Sequence, residues 1–89
     1  MSASERQPVV VHVDIVEPGR ALVTLSNGGA RLGLSEGKYW ADIYEDSDVE
    51  AAAGRYKEGF ATYDAAARWV ARTHGYDGPL DIQKKRDPK

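Results

Sequence analysis

The sequence predicts an α+β domain in which an antiparallel meander of four to five strands is covered on one face by a single C-terminal helix. Three observations support this fold class. Residues 9–16 alternate and are rich in valine, which is typical of a β-strand. Turn sequences containing proline, glycine and asparagine divide residues 17–60 into further short runs. One segment, residues 62–75, has apolar residues at helical spacing and a cap signal at each end.

The helix is delimited by its two caps. Thr62 is the expected N-cap, and Asp64 then lies in the first turn, where a carboxylate interacts favourably with the helix dipole. Gly75 follows the last turn, where a residue with left-handed backbone conformation is favoured. Between the caps, Ala66 and Val70 belong to a small-residue stripe at three- and four-residue spacing. The helix is therefore expected to lie close to a sheet.

The hairpins follow from the turn residues. Asn27-Gly28 is a favoured pair for a two-residue loop, and as a loop it would place Leu25 opposite Ala30. A second connection over residues 35–38 would place the apolar residues of 30–34 opposite those of 39–43. Residues 55–60 form a short fifth strand with Tyr56 and Phe60 as core candidates, and residues 80–82 an extended segment along a sheet edge.

Length and composition define the organisation of the chain. We expect a flexible leader over residues 1–7, a single domain over 8–83 and a basic, disordered tail over 84–89. No apolar run approaches the roughly 20 residues of a membrane span, and no signal peptide is evident, so a cytoplasmic protein is expected. Absence of cysteine excludes disulfides and thiol chemistry.

The charges are distributed unevenly although the net charge is only −2. Residues 36–50 carry six carboxylates and one lysine, whereas residues 51–89 carry eight basic and five acidic side chains. Such a distribution is typical of solvated loops and tails, and it is also compatible with an acidic surface that binds a basic partner.

No arrangement of residues points to catalysis or to a bound cofactor. The chain has two histidines and no serine in a nucleophile-elbow context, so we expect a protein that is not an enzyme. The carboxylates of residues 42–50 alternate somewhat like a calcium loop, but Ser47 and Ala53 occupy the positions that require glycine and glutamate. We therefore expect no metal site and no cofactor.

The sheet face opposite the helix is predicted to be unusually apolar. By alternation it carries Leu22, Trp40 and Tyr44 among polar residues, and an exposed aromatic patch with a polar rim often marks a binding site. Curling of the sheet with Trp40 in second-face packing is the alternative. An exposed first or last strand would also allow two copies to pair into a homodimer, since residues 9–16 carry little edge protection.

One resemblance to a known family covers about 35 residues. The segments GKYWADIY (37–44) and GFATYDAAARW (59–69) resemble the core of the ethylene-response-factor DNA-binding domain and the arm-binding domains of phage integrases. The resemblance implies a three-stranded sheet backed by a helix, with DNA read by the open sheet face. This chain has Leu32 or Leu34 and Tyr44 where the family relies on arginines, so no DNA-contact residue is carried over.

Two functions are predicted. The first is a small inhibitor or adaptor that binds a protein partner, such as a nucleic-acid-binding machine. By type it resembles small acidic phage-encoded inhibitors, anti-CRISPR proteins among them. Its expected contacts are Trp40, Asp42, Tyr44, Glu45, Asp46, Asp48 and Glu50.

The alternative function is a nucleic-acid-binding module that uses the open sheet face and the basic tail. Its expected contacts are Arg31, Trp40, Tyr44, Arg55 and Lys57. The two functions differ in their expected dependence on salt, because only direct binding to a phosphate backbone releases condensed counterions.

Overall fold

A single sheet with a helix on one face makes up the part of the chain that the computed structural model describes, residues 8–45, 49 and 54–86. Its elements are β1 (Val9–Glu17), β2 (Arg20–Leu25), β3 (Gly28–Ser35), β4 (Lys38–Ile43), β5 (Tyr56–Phe60), α1 (Tyr63–Thr73) and β6 (Leu80–Arg86). The α+β class and the packing of one helix on the sheet are confirmed.

The number and direction of the strands differ from the prediction. The strand order is β5-β4-β3-β2-β1-β6, and β6 pairs with β1 in parallel. Over the described residues the sheet therefore has six strands and is mixed, rather than an antiparallel meander of four or five. Helix α1 carries the chain from β5, at one edge, to the opposite edge. There the outer backbone groups of β1 are available, and β6 pairs with them because unpaired backbone groups at an edge are costly or prone to association.

Strand β6 also corrects the predicted boundary of the basic tail. Residues 84–86 belong to the strand, and Lys84 Nζ lies 2.7 Å from Asp64 Oδ1 on the first turn of α1. Residues 87–89 lie outside the described residues. Because β6 pairs with residues 9–15, the first strand, β1, is not an exposed edge for a homodimer. The edges are β5 and β6, and pairing of two copies through either remains a prediction.

The hairpin registers show which turn residues decide the pairing. The β3–β4 register is the predicted one, with Leu32 opposite Ala41. The β2–β3 register differs by two residues, because Ser26-Asn27 forms the turn and Leu25 pairs with Gly28 rather than Ala30. A shift of two residues keeps every side chain on its predicted face. The β1–β2 hairpin turns at Pro18-Gly19. Its pairing register shifts between residues 15 and 17, which indicates a β-bulge or a similar irregularity in β1.

Both predicted helix caps are confirmed. The Ala65 amide donates to Thr62 Oγ1 at 3.1 Å. At the other end, Gly75 has φ of +97°, its amide donates to the Arg72 carbonyl, and the Tyr76 amide donates to the Ala71 carbonyl. This pair of bonds is a Schellman motif, which satisfies carbonyls that the helix leaves unpaired.

Small residues let α1 lie close to the sheet. The buried helix residues are Ala66, Ala67, Val70 and Ala71. They pack on the alternate side chains of the four central strands, namely Val11, Val13, Ile15, Ala21, Val23, Leu25, Ala30, Leu32, Ala41 and Ile43. The Tyr39 and Tyr63 rings, with centroids 4.5 Å apart, and the Gly19 amide, which donates to the Tyr63 hydroxyl at 2.8 Å, fix one end of the helix. The opposite face of the sheet is left without a covering element among the described residues.

Candidate binding surface on the open sheet face

Strands β3, β4 and β5 place a cluster of aromatic and charged side chains on the face that α1 does not cover. The pairings Arg31–Asp42, Asp42–Tyr56 and Trp40–Glu58 bring these side chains into adjacent rows, since paired residues point to the same side of a sheet. We call the cluster the open-face patch and define it as Arg31, Trp40, Asp42, Tyr44, Tyr56 and Glu58.

Two glycines let the aromatic rings lie against the backbone. A Cβ built on Gly33 would stand 2.1 Å from Trp40 Cζ2, and one built on Gly29 would stand 3.2 Å from Tyr44 Cε2. Both glycines are buried although they are on the open face, because the rings cover them. Aromatic side chains over glycines on a neighbouring strand are a known way of stabilising a sheet. Trp40 and Tyr44 are therefore fixed platforms rather than freely rotating side chains.

Tyr56 extends the Trp40 platform towards the edge of the sheet. The two rings have centroids 6.1 Å apart and planes inclined by 28°, and Tyr56 is 55% exposed. The Tyr56 hydroxyl donates to Glu58 Oε2 at 3.0 Å. That hydrogen bond raises the pKa of Tyr56, with smaller contributions from burial and from the negative charges of Glu58 and Asp42. Glu58 therefore places a negative charge next to the two rings at this end of the open-face patch.

The arginine of the open-face patch already has partners within the protein. Arg31 Nη2 lies 3.4 Å from Asp42 Oδ2, and the guanidinium carbon lies 5.9 Å from the centre of the Tyr44 ring. The Arg31 side chain is 61% exposed, so these contacts contribute little to stability, about 0–1 kcal/mol for the ion pair. The positive charge of Arg31 is nevertheless balanced locally by the carboxylate of Asp42.

Two depressions adjoin the open-face patch. One, of about 230 Å³, is lined by Ser35, Glu36, Lys38, Trp40, Glu58 and Gly59. The other is larger and lies at the opposite end of β4, and it is lined by Arg31, Asp42, Ile43, Tyr44 and Glu45. We call the first depression the Trp40 groove.

The contacts predicted for a protein partner fall into two groups. Trp40, Asp42 and Tyr44 lie together in the open-face patch, and Glu45 lines the adjoining depression. Asp46, Asp48 and Glu50 lie outside the described residues. The role of each of these residues remains a prediction.

The contacts predicted for nucleic acid are divided between the two faces. Arg31, Trp40 and Tyr44 are in the open-face patch. Lys57 pairs with Ala41 on the helix side, where its Nζ lies 5.9 Å from the centre of the Phe60 ring. Arg55 donates from Nη2 to the Val49 carbonyl at 2.6 Å. Neither cation is therefore placed beside Trp40 or Tyr44 in the open-face patch.

Sequence reasoning missed Tyr56 and Glu58. It assigned Tyr56 to the core, but Tyr56 is on the open face and Phe60 is the residue of β5 that packs on the core. A signal was present in the alternation of β5, since residues 56 and 58 share a face. Without the register between β4 and β5, that face could not be identified.

Over residues 8–45, 49 and 54–86, no group of three or more histidine, aspartate or glutamate side chains is placed to hold a metal ion. Within the same ranges, no helix has the length and apolar character needed to cross a membrane.

Comparisons of the chain with family models, with curated proteins and with solved structures found no match. The resemblance to ethylene-response-factor and integrase arm-binding domains therefore remains a prediction.

Proposed function

We propose that this protein is a non-enzymatic adaptor or inhibitor that binds a partner protein through the open-face patch. The observation that carries this proposal is the stacked pair of rings, Trp40 held over Gly33 and Tyr56 beside it, surrounded by charges of both signs. Rigid aromatic anchors lose little conformational entropy on binding and are enriched among the residues that dominate the energetics of protein interfaces.

The charge balance of the open-face patch favours a protein over a nucleic acid. Arg31 is paired with Asp42, and Glu58 adds a negative charge beside the rings. A phosphate backbone needs unpaired cations, whereas a protein surface can match a mixed pattern of charges. The acidic segment that follows Tyr44 in the sequence would add attraction for a basic protein, such as one with a groove that binds nucleic acid.

The alternative function, binding of single-stranded nucleic acid, is favoured by one observation. Tyr56 is more than half exposed, and its ring is stacked with that of Trp40. A nucleic-acid base could stack on such an exposed ring. This alternative predicts an affinity for nucleic acid that falls steeply as the salt concentration rises.

The proposal is tested by affinity capture with the full chain as bait, from cells of the source organism and with nuclease treatment of half of each sample. Tyr56→Ala removes an exposed ring of the open-face patch. Val10→Ala is the matched control, since Val10 is 40% exposed and is on β1, three strands away from β4. A fourth bait carries Asp46→Lys, Asp48→Lys and Glu50→Lys, which reverse the charge of the acidic segment.

We expect a nuclease-resistant protein that the wild-type and Val10→Ala baits capture and the Tyr56→Ala bait does not. The captured protein is then purified, and its dissociation constant is measured with each bait. Equal affinity for the Tyr56→Ala and Val10→Ala baits would contradict the proposal. Recovery of nucleic acid, or of proteins lost on nuclease treatment, would favour the alternative function.

A further inference from the structure

The Trp40 groove combines an aromatic wall with an excess of negative charge. Of its charged lining residues, Glu36 and Glu58 are acidic and Lys38 is basic. The indole of Trp40 is held over Gly33, so the aromatic wall is fixed before any ligand binds. The volume of about 230 Å³ suits one side chain rather than a whole peptide or a drug-sized molecule.

The aromatic wall and the two carboxylates together determine which kind of side chain the Trp40 groove can bind favourably. An anion would meet two carboxylates, and a purely apolar side chain would take water from them without offering a hydrogen-bond donor in exchange. A guanidinium group is flat, stacks on an indole face and donates to carboxylates in a fixed fork. An ammonium group is a compact, strongly hydrated point charge and gains less from stacking.

We propose that the Trp40 groove binds an arginine side chain of the partner protein, with the guanidinium against the Trp40 indole and hydrogen-bonded to Glu36 or Glu58. This inference rests on the proposed function, because it names the chemistry of the partner at one subsite. The hydrogen bond from Tyr56 to Glu58 leaves the second carboxylate oxygen of Glu58 for the ligand.

The inference is tested with a hexa-arginine peptide as the probe and Trp40 fluorescence as the signal. Of the two tryptophans, Trp69 packs against Phe60 on the helix side, so Trp69→Phe leaves Trp40 as the reporter. In this background, Glu36→Gln with Glu58→Gln removes both carboxylates of the groove. Glu17→Gln with Asp81→Asn removes the same charge elsewhere, on the first hairpin and on β6 at the opposite edge.

We expect saturable binding of hexa-arginine that the groove variant weakens roughly tenfold or more and the control variant leaves nearly unchanged. Hexa-lysine should bind more weakly than hexa-arginine, and hexa-glutamate should not bind. The inference is overturned if Trp40 does not respond to hexa-arginine, if both variants lose affinity equally, or if hexa-lysine binds as tightly.

The outcome is distinguishable from a failure of the proposed function. If hexa-arginine does not bind but Tyr56→Ala still abolishes capture of the partner, the arginine subsite is wrong and the proposed function stands. If hexa-arginine binds as expected but no partner depends on Tyr56, the subsite stands and the proposed function is wrong.

Discussion

The indole of Trp40 lies over the backbone of Gly33, its partner across β3 and β4, at a distance that leaves no room for a side chain at position 33. Every open-face contact of Trp40 depends on this arrangement. If Gly33 carried a methyl group, the ring would have to rotate away, and both the Trp40 groove and the stack with Tyr56 would change.

Gly33→Ala is therefore expected to destabilise the fold by about 1–3 kcal/mol through overpacking, as measured by urea unfolding. In a Trp40→Ala background the same change should be neutral or slightly stabilising, because the clash is gone and alanine reduces the entropy of the unfolded chain. Gly29→Ala is the comparison. A Cβ at Gly29 would stand 2.4 Å from the Val23 carbonyl oxygen, so Tyr44→Ala should not remove its penalty. Equal penalties for Gly33→Ala in both backgrounds would contradict the packing described here.

Glu36 is a second position where the backbone makes a specific demand. Its φ is +53°, followed by +80° at Gly37, as in a two-residue type I′ turn. Asparagine adopts this conformation more readily than glutamate, so Glu36→Asn should stabilise the protein by about 0.5–1 kcal/mol in urea unfolding. Glu45→Asn is the control, since Glu45 is exposed and does not have positive φ. A destabilised Glu36→Asn variant would show that the glutamate side chain holds the turn.

For β2 and β3 the sequence was sufficient to assign the core face of each strand but not the register between them. Apolar residues at every second position place Leu25 and Ala30 on the core side in either register, so a shift of two residues cannot be detected from the pattern. The position of the turn fixes the register, and whether the turn forms at Ser26-Asn27 or at Asn27-Gly28 depends on tertiary contacts. In the structure, the Ser26 and Tyr76 hydroxyls are 2.6 Å apart, a contact 50 residues away in sequence.

The extent of β6 could not be predicted because its stabilisation is not local. Leu80 and Ile82 pack against the core, but the residues that follow them are polar or charged. They form a strand because β1 offers a row of backbone groups, which no sequence pattern in residues 80–86 reveals. By contrast, Arg31, Trp40 and Asp42 could be assigned to the open face from alternation within β3 and β4 alone.

The N-cap of α1, Thr62, allows a test of how much capping stabilises the helix that packs on the sheet. Thr62→Ala removes the acceptor of the Ala65 amide and should cost about 1 kcal/mol of unfolding free energy. Thr62→Ser keeps the hydroxyl and should restore most of that stability. Circular dichroism during urea unfolding measures both variants, and equal midpoints for Thr62→Ala and the wild type would contradict the capping role.

The Tyr56–Glu58 pair predicts a specific dependence on pH. Because the hydrogen bond to Glu58 raises the folded-state pKa of Tyr56 above its unfolded value, the pair contributes stability that is fully present below about pH 10 and is lost as the pH rises through the folded-state pKa. A difference titration of phenolate absorbance, wild type minus Tyr56→Phe, isolates this tyrosine. Glu58→Gln should lower the Tyr56 midpoint, because the acceptor loses its charge, whereas Glu17→Gln on the first hairpin should leave it unchanged. A midpoint that Glu58→Gln does not alter would show that Tyr56 and Glu58 are not bonded in solution, and the negative wall of the Trp40 groove would then be arranged differently.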